Sequence, residues 1–191
     1  SQGTIVLQAG NSTANSGNIV LEGTAVSSAA GDVLLQATGD VTLAAARDTA
    51  SSSSKSTRKS RGFLSSSTTP TQASQSSDTA KVTELVANGA LQISAGKNIT
   101  SQGSQVLAEG SVLLDAQGDV LLDVATNSTT QTNQVSKRKS GLSFSGGGLF
   151  IGKRSEKVGN AGDQSQNVAS TLIGDQVVVR SQGTVTLAAA Q

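Results

Sequence analysis

The chain of 191 residues contains no Cys, His, Met, Trp or Tyr, and only three Phe and one Pro. Without thiolate or imidazole it cannot build a zinc finger, an iron–sulfur cluster, a haem ligand pair, or Ser-His-Asp or Cys-His catalysis. Aromatics at 2% and hydrophobic residues at 35% leave little large apolar surface for a spherical core. No apolar run approaches the ~20 residues of a membrane helix. No signal peptide heads the chain, and a start at Ser1 is expected of a piece cut from something longer. The charge is nearly balanced, 14 Lys+Arg against 13 Asp+Glu. The length predicts one domain.

What the chain has instead is 30 Ser, 20 Thr and 21 Gly, and a recurring phrase. Gly is followed by alternating aliphatics in GTIVLQA from Gly3, GNIVLEG from Gly17, GDVLLQA from Gly31 and GDVTLAA from Gly39. The phrase returns as GALQISA from Gly89, GSVLLDA from Gly110, GDVLLDV from Gly118 and GTVTLAA from Gly183. Its apolar positions, such as Val33, Leu35, Ala37 and Val41, Leu43, Ala45, fall at period two, the strand period. Gly marks each tight turn. Short strands that bury only one thin face need neighbours stacked on them. The expected fold is therefore all-β, a parallel β-solenoid with rungs of roughly 20 residues about 4.8 Å apart. The rival is an antiparallel sandwich, but a hairpin dipeptide Asn-Gly occurs once, at Asn88-Gly89.

The phrase disappears twice, over 48–80 and 126–170. In the first excursion 18 of 33 residues are Ser or Thr. The two align, since GDVTLAAARD from Gly39 matches GDVLLDVATN from Gly118 at an offset of 79 that becomes 80 at Lys59/Lys139. A unit of about 80 residues is duplicated. The first excursion carries Lys55, Arg58, Lys59 and Arg61 for a net +2. The second carries Lys137, Arg138, Lys139, Lys153, Arg154 and Lys157 for a net +4, so the remainder sums to −5. Within the second, Leu142 and Phe144 alternate with Ser, Gly146 to Gly148 can turn, and Leu149, Phe150 and Ile151 run into Lys153 and Arg154. This predicts a β-hairpin with a cationic root on each side. The first excursion keeps only the stub RGFLSSS.

Other patterns carry less. Gly147 to Lys153 satisfies G-x-x-x-x-G-K, but Arg154 stands where a phosphate loop needs Ser or Thr, and no helical pattern follows. Asp115, Asp119 and Asp123 are evenly spaced but lack the glycine-rich nonapeptide of calcium-bound rolls, and read as solvent-facing carboxylates. Acidic residues scattered one per rung, with no aromatic platform, do not suit a glycosidase or lyase. The basic runs KSTRKSR and SKRKS attract polyanions. Without interleaved aromatics they do not suit sequence-reading nucleic-acid binding.

The phrases GDVTLAAARD and GKNITSQGSQV, the tandem GSVLLDAQGDVLLD and the run KRKSGLSFSGGG resemble the haemagglutinin repeats of the filamentous haemagglutinin family. These are giant exoproteins of two-partner secretion, including contact-dependent growth-inhibition toxins of Gram-negative bacteria. The resemblance covers essentially the whole chain, 1–191. It implies a right-handed β-helix carrying two excursions, exported through a dedicated outer-membrane transporter to the cell surface. The lack of Cys fits passage through an oxidising periplasm.

The expected role is a non-enzymatic filament segment, without cofactor or metal, that supports cell contact and delivery of a C-terminal toxin across the target outer membrane. The alternative is an adhesin segment binding surface glycans. In either case the expected contact residues are Lys137, Arg138, Lys139, Leu142, Phe144, Leu149, Phe150, Ile151, Lys153 and Arg154. End-to-end self-association through the coil's open ends is expected of the isolated piece.

Overall fold

A computed structural model describes residues 3–11, 17–145 and 148–188; the side chains of 143–150 lie outside the description. The described residues are strands and turns, with no helix. In chain order β1 (Ile5–Ala9), β2 (Ile19–Glu22) and β3 (Ala25–Ser28) form a first rung. The second rung has β4 (Val33–Ala37) and β5 (Val41–Ala44), then the long β6 (Ala46–Arg61) and β7 (Ser65–Lys81), and closes with β8 (Thr83–Ala87). β9 (Leu91–Ala95), β10 (Ile99–Gln102) and β11 (Ser104–Ala108) make the third. The fourth repeats the second: β12 (Ser111–Ala116), β13 (Val120–Asp123), the long β14 (Ala125–Ser145) and β15 (Gly148–Val168), then β16 (Thr171–Ile173). β17 (Gln176–Ser181) and β18 (Val185–Leu187) follow.

The chain divides into two compact units: residues 1–48, 79–127 and 166–191 in one, and 49–78 and 128–165 in the other. In the first, successive short strands visit three sheets in turn, ordered β1-β4-β9-β12-β17, β18-β13-β10-β5-β2 and β16-β11-β8-β3. The pairings within these sheets are parallel. This is the connectivity a parallel β-helix requires, and it excludes the antiparallel sandwich. The uninterrupted rung from Leu91 to Val112, which are register partners, advances 21 residues.

The register explains the composition. Leu7, Leu35, Ile93, Leu114 and Val179 form one inward row. Ala9, Ala37, Ala95 and Ala116 form another. Ile19, Val41, Ile99 and Val120 form a third, in the second sheet. Each row stacks like on like about 4.8 Å apart, so a narrow interior fills with Leu, Ile, Val and Ala. Their alternate neighbours point outward, as the period of two demands. Leu35, Leu43, Leu91, Ile93, Leu114 and Leu122 are fully buried.

Side chains also tie rung to rung at one corner. Asn18 Oδ1 accepts the Asp40 N–H at 2.8 Å, and Asp40 Oδ1 accepts the Asn98 N–H at 3.1 Å and its Nδ2–H at 3.0 Å. Asn98 Oδ1 accepts the Asp119 N–H at 2.8 Å, and Asp119 Oδ1 accepts the Thr184 N–H at 2.7 Å. Alternating Asn with Asp holds the two carboxylates two rungs, roughly 10 Å, apart, which spares the ladder adjacent like charges.

The excursions leave from a second corner. In the plain rungs this corner is a glycine in the left-handed region, Gly23 (φ 54°) and Gly103 (φ 57°). A Cβ on either would collide with the Cβ of Ala46 or Ala125, the first residues of β6 and β14. Glycine is required twice over at both positions. On return, buried hydroxyls close the rung: Thr83 Oγ1 donates to the Ala44 carbonyl at 2.6 Å and Ser170 Oγ to that of Asp123 at 2.6 Å.

Leu122→Asp should strand a charge in the stack and abolish or severely lower the cooperative thermal transition seen by circular dichroism. Unchanged melting would refute the inward assignment. Asn98→Ala should cost about 0.5–1.5 kcal/mol in urea unfolding, because at this exposed corner water replaces the partner that the Asp119 N–H and the Asp40 carboxylate lose.

Candidate interaction surface

The second unit is a sheet in the order β15-β14-β7-β6. Strands of 16–21 residues occupy both excursions, and the stretch expected to form the hairpin lies within the second pair of them. Abundant Thr and Ser tolerate extended backbone, and the two excursions pair with each other. β7 and β14 run antiparallel from Ser128↔Asp78 to Gly141↔Ser65. The ladder is interrupted where Ser136 and Lys137 stand opposite Pro70 and Thr69, since Pro70 has no N–H to give.

β6 turns into β7 through Gly62, Phe63 and Leu64, with the Gly62 N–H donating to the Ser65 carbonyl at 2.7 Å. The Leu142 N–H donates to the Leu64 carbonyl at 3.0 Å, and the Ser66 and Ser140 hydroxyls bond at 2.8 Å. The first turn therefore lies against the start of the apolar stretch of β14. Phe63 is fully exposed (101%) and Leu64 60% exposed, and Ile151 on β15 is 73% exposed. A hollow of about 290 Å³ lies between Arg61, Gly62, Leu64, Ser66, Ser140 and Gly141.

The expected contact residues lie in this unit. Lys137, Arg138 and Lys139 are exposed on β14, and Lys153 and Arg154 on β15. The pleat separates the first three. Arg138 shares a face with Ser140 and Leu142, whereas Lys137 and Lys139 point to the other face. Leu142 is half-buried. Phe144, Leu149 and Phe150 belong to β14 and β15 with side chains outside the description, and Gly146 and Gly147 of the expected turn lie outside the described residues. Sequence reasoning passed over Phe63 and Leu64. Aligning RKSRGFL with KRKSGLSF was the signal, because it sets the first stub against the apolar stretch of the second excursion.

The other sequence patterns fall elsewhere. Gly148 to Lys153 continue as strand to Val168, without the helix start that a phosphate loop uses. Asp115 stands between Ser94 and Arg180 on the first sheet. Asp119 belongs to the corner ladder, and Asp123 accepts its neighbour's Val124 N–H at 2.8 Å. Among the described residues no three acidic side chains gather as a metal site. A hollow of about 470 Å³ on the first sheet is lined by Gln36, Ser94, Lys97, Asp115 and Gln117 among others, with a single carboxylate; paired acid–base chemistry needs a second.

Stacked parallel rungs with duplicated excursions define a β-rich repeat protein. The hemagglutinin repeat family matches residues 1–72 and 64–191, and the chain belongs to that family as a repeat segment of a filamentous haemagglutinin or contact-dependent growth-inhibition exoprotein of two-partner secretion. It is 37% identical over 118 residues to a tRNA nuclease CdiA of Escherichia coli (strain STEC_O31), covering 60% of this chain and 4% of that protein. It is 38% identical over 97 residues to a 16S rRNA endonuclease CdiA of Enterobacter cloacae subsp. cloacae, covering 50% and 3%. With a tRNA nuclease CdiA of Yersinia mollaretii it shares 34% over 98 residues, covering 49% and 3%. The chain thus spans about one twenty-fifth of the curated relatives it matches. No solved structure matches it.

Deleting Val135 to Glu156 should leave the coil's β signal in circular dichroism intact, because the coil is compact without it. The same deletion should strip amide exchange protection from those amides between Ser65 and Thr71 of β7 that point to β14, whose partners are then missing. Loss of the whole β signal would show the hairpin to be integral to the coil.

Proposed function

We propose that this chain is a non-enzymatic filament segment of a secreted exoprotein, a right-handed β-helix with paired hairpin excursions. It is exported through an outer-membrane transporter partner and stands at the surface of a Gram-negative bacterium. Its task is to support cell contact and the delivery of a C-terminal toxin across the target outer membrane. Family membership supports this reading, and so do relatives named as nucleases, of which this segment matches only 3–4%. End-to-end pairing of coil ends belongs to the same proposal.

The observation that carries the contact role is the turn end of the hairpin sheet. Exposed Phe63, Leu64 and Ile151 stand there, with Arg61, Lys153 and Arg154 close by in sequence and Lys139 paired with Ser67. Cations near anionic lipid contribute up to ~1 kcal/mol each, enough together to bring the sheet to an anionic membrane surface. Apolar tips then have hydrocarbon to enter, while the hydrogen-bonded strands keep their backbone satisfied.

The test is co-sedimentation with outer-membrane vesicles and anionic liposomes at low and high salt. Wild type should bind at low salt. Changing Lys137, Arg138, Lys139, Lys153 and Arg154 to Ser should abolish binding. Phe63→Ser with Leu64→Ser should remove the fraction that resists salt. Binding to lipopolysaccharide glycan but not to lipid would favour the adhesin reading. No binding to any of these surfaces would leave the segment a spacer.

A further inference from the structure

The hairpin sheet has two end strands, β6 and β15, each paired on one side only among the described residues. The internal duplication makes these edges counterparts of an interface the chain already contains. β6 corresponds to β14, at an offset of 80 at Lys59/Lys139. β7 corresponds to β15, since they return to matching corner hydroxyls, Thr83 and Ser170, 87 residues apart. The edge of β7 that receives β14 therefore has its equivalent on the free edge of β15. The edge of β14 that receives β7 has its equivalent on the free edge of β6.

We propose that the β15 edge of one copy of this chain pairs antiparallel with the β6 edge of a second copy, repeating the β7–β14 contact between molecules. Partner numbers in the β7–β14 ladder total 206. Carried through offsets of −80 and +87 they total 213, which sets Thr57 opposite Glu156 and Lys59 opposite Arg154. The contact joins different surfaces and does not close on itself, so it generates open chains of copies rather than a sealed dimer. Lys59 facing Arg154 opposes the pairing at low ionic strength, as charged residues on edge strands commonly do. Salt that screens these charges permits it.

The absence of Cys from the chain gives a clean test. Thr57→Cys and Glu156→Cys are single changes at exposed positions. Mixed and oxidised at high salt, the two variants should form disulfide dimers at least about tenfold more than either alone, since opposed edge residues bring the cysteines within bridging distance. Ser56→Cys or Arg58→Cys in place of Thr57→Cys allows for a register displaced by one residue, and mixed cross-links from either also support the proposal. Light scattering of wild type should show dimers and longer species rising with salt. Cross-links as strong in one variant alone as in the mixture would overturn it in favour of like-with-like edge pairing. A monomer at every salt and concentration, without cross-links, would overturn it outright.

Discussion

The structure rests on register: each inward residue lies over its equivalent in the rung below. Parallel pairing sets that spacing at about 4.8 Å, and the repeated Gly-x-aliphatic-x-aliphatic phrase supplies the same side chain each time. Leu stacks on Leu and Ile, Ala on Ala, and Asn alternates with Asp at the corner. A residue changed in one rung loses packing on two sides. The stability of the coil is therefore a nearest-neighbour property, and each rung adds a similar increment. A bulky aromatic would have no equivalent above or below it, which is why a chain with three Phe and no Trp folds this way.

The excursions show the same economy of means in a different geometry. They leave and return at one corner, where a glycine in the plain rung gives room to an alanine of the interrupted one, and hydroxyls of Thr83 and Ser170 close the gap. Once out of the coil, strands rich in Ser and Thr find few apolar surfaces to bury. They satisfy their backbone by pairing with the neighbouring excursion. The resulting sheet presents cations and a few apolar side chains to solvent.

Much of the coil was legible in the sequence because its signal is periodic. The Gly-led phrase fixes strand positions, and Val33, Leu35, Val41, Leu43 and Leu122 point inward as alternation requires. The corner ladder was not legible. Asn18, Asp40, Asn98 and Asp119 look like ordinary turn residues until the rungs are superposed, and Asp119 looked like one carboxylate of an even series. The excursions carry the weakest signal in the sequence. Ser-Thr runs without alternating apolar residues carry no strand period, so β6 and β7 had no local signature. β6 lies beside β7, and β7 pairs with residues of β14 that stand 50 to 76 positions further along the chain. For the same reason Phe63 and Leu64 passed for a stub, although their neighbours on β14 were among the expected contact residues.

Residues far apart in sequence lie stacked, two rungs apart, in the second sheet. Thr42 pairs with Thr100 and Thr100 with Leu121 on the outward row. Nitroxide labels on a Thr42→Cys, Leu121→Cys double variant, in a chain with no other thiol, measure this directly. Sites two rung spacings, about 10 Å, apart should show strong dipolar broadening. Labels too distant to broaden one another in the folded protein would refute the stacking.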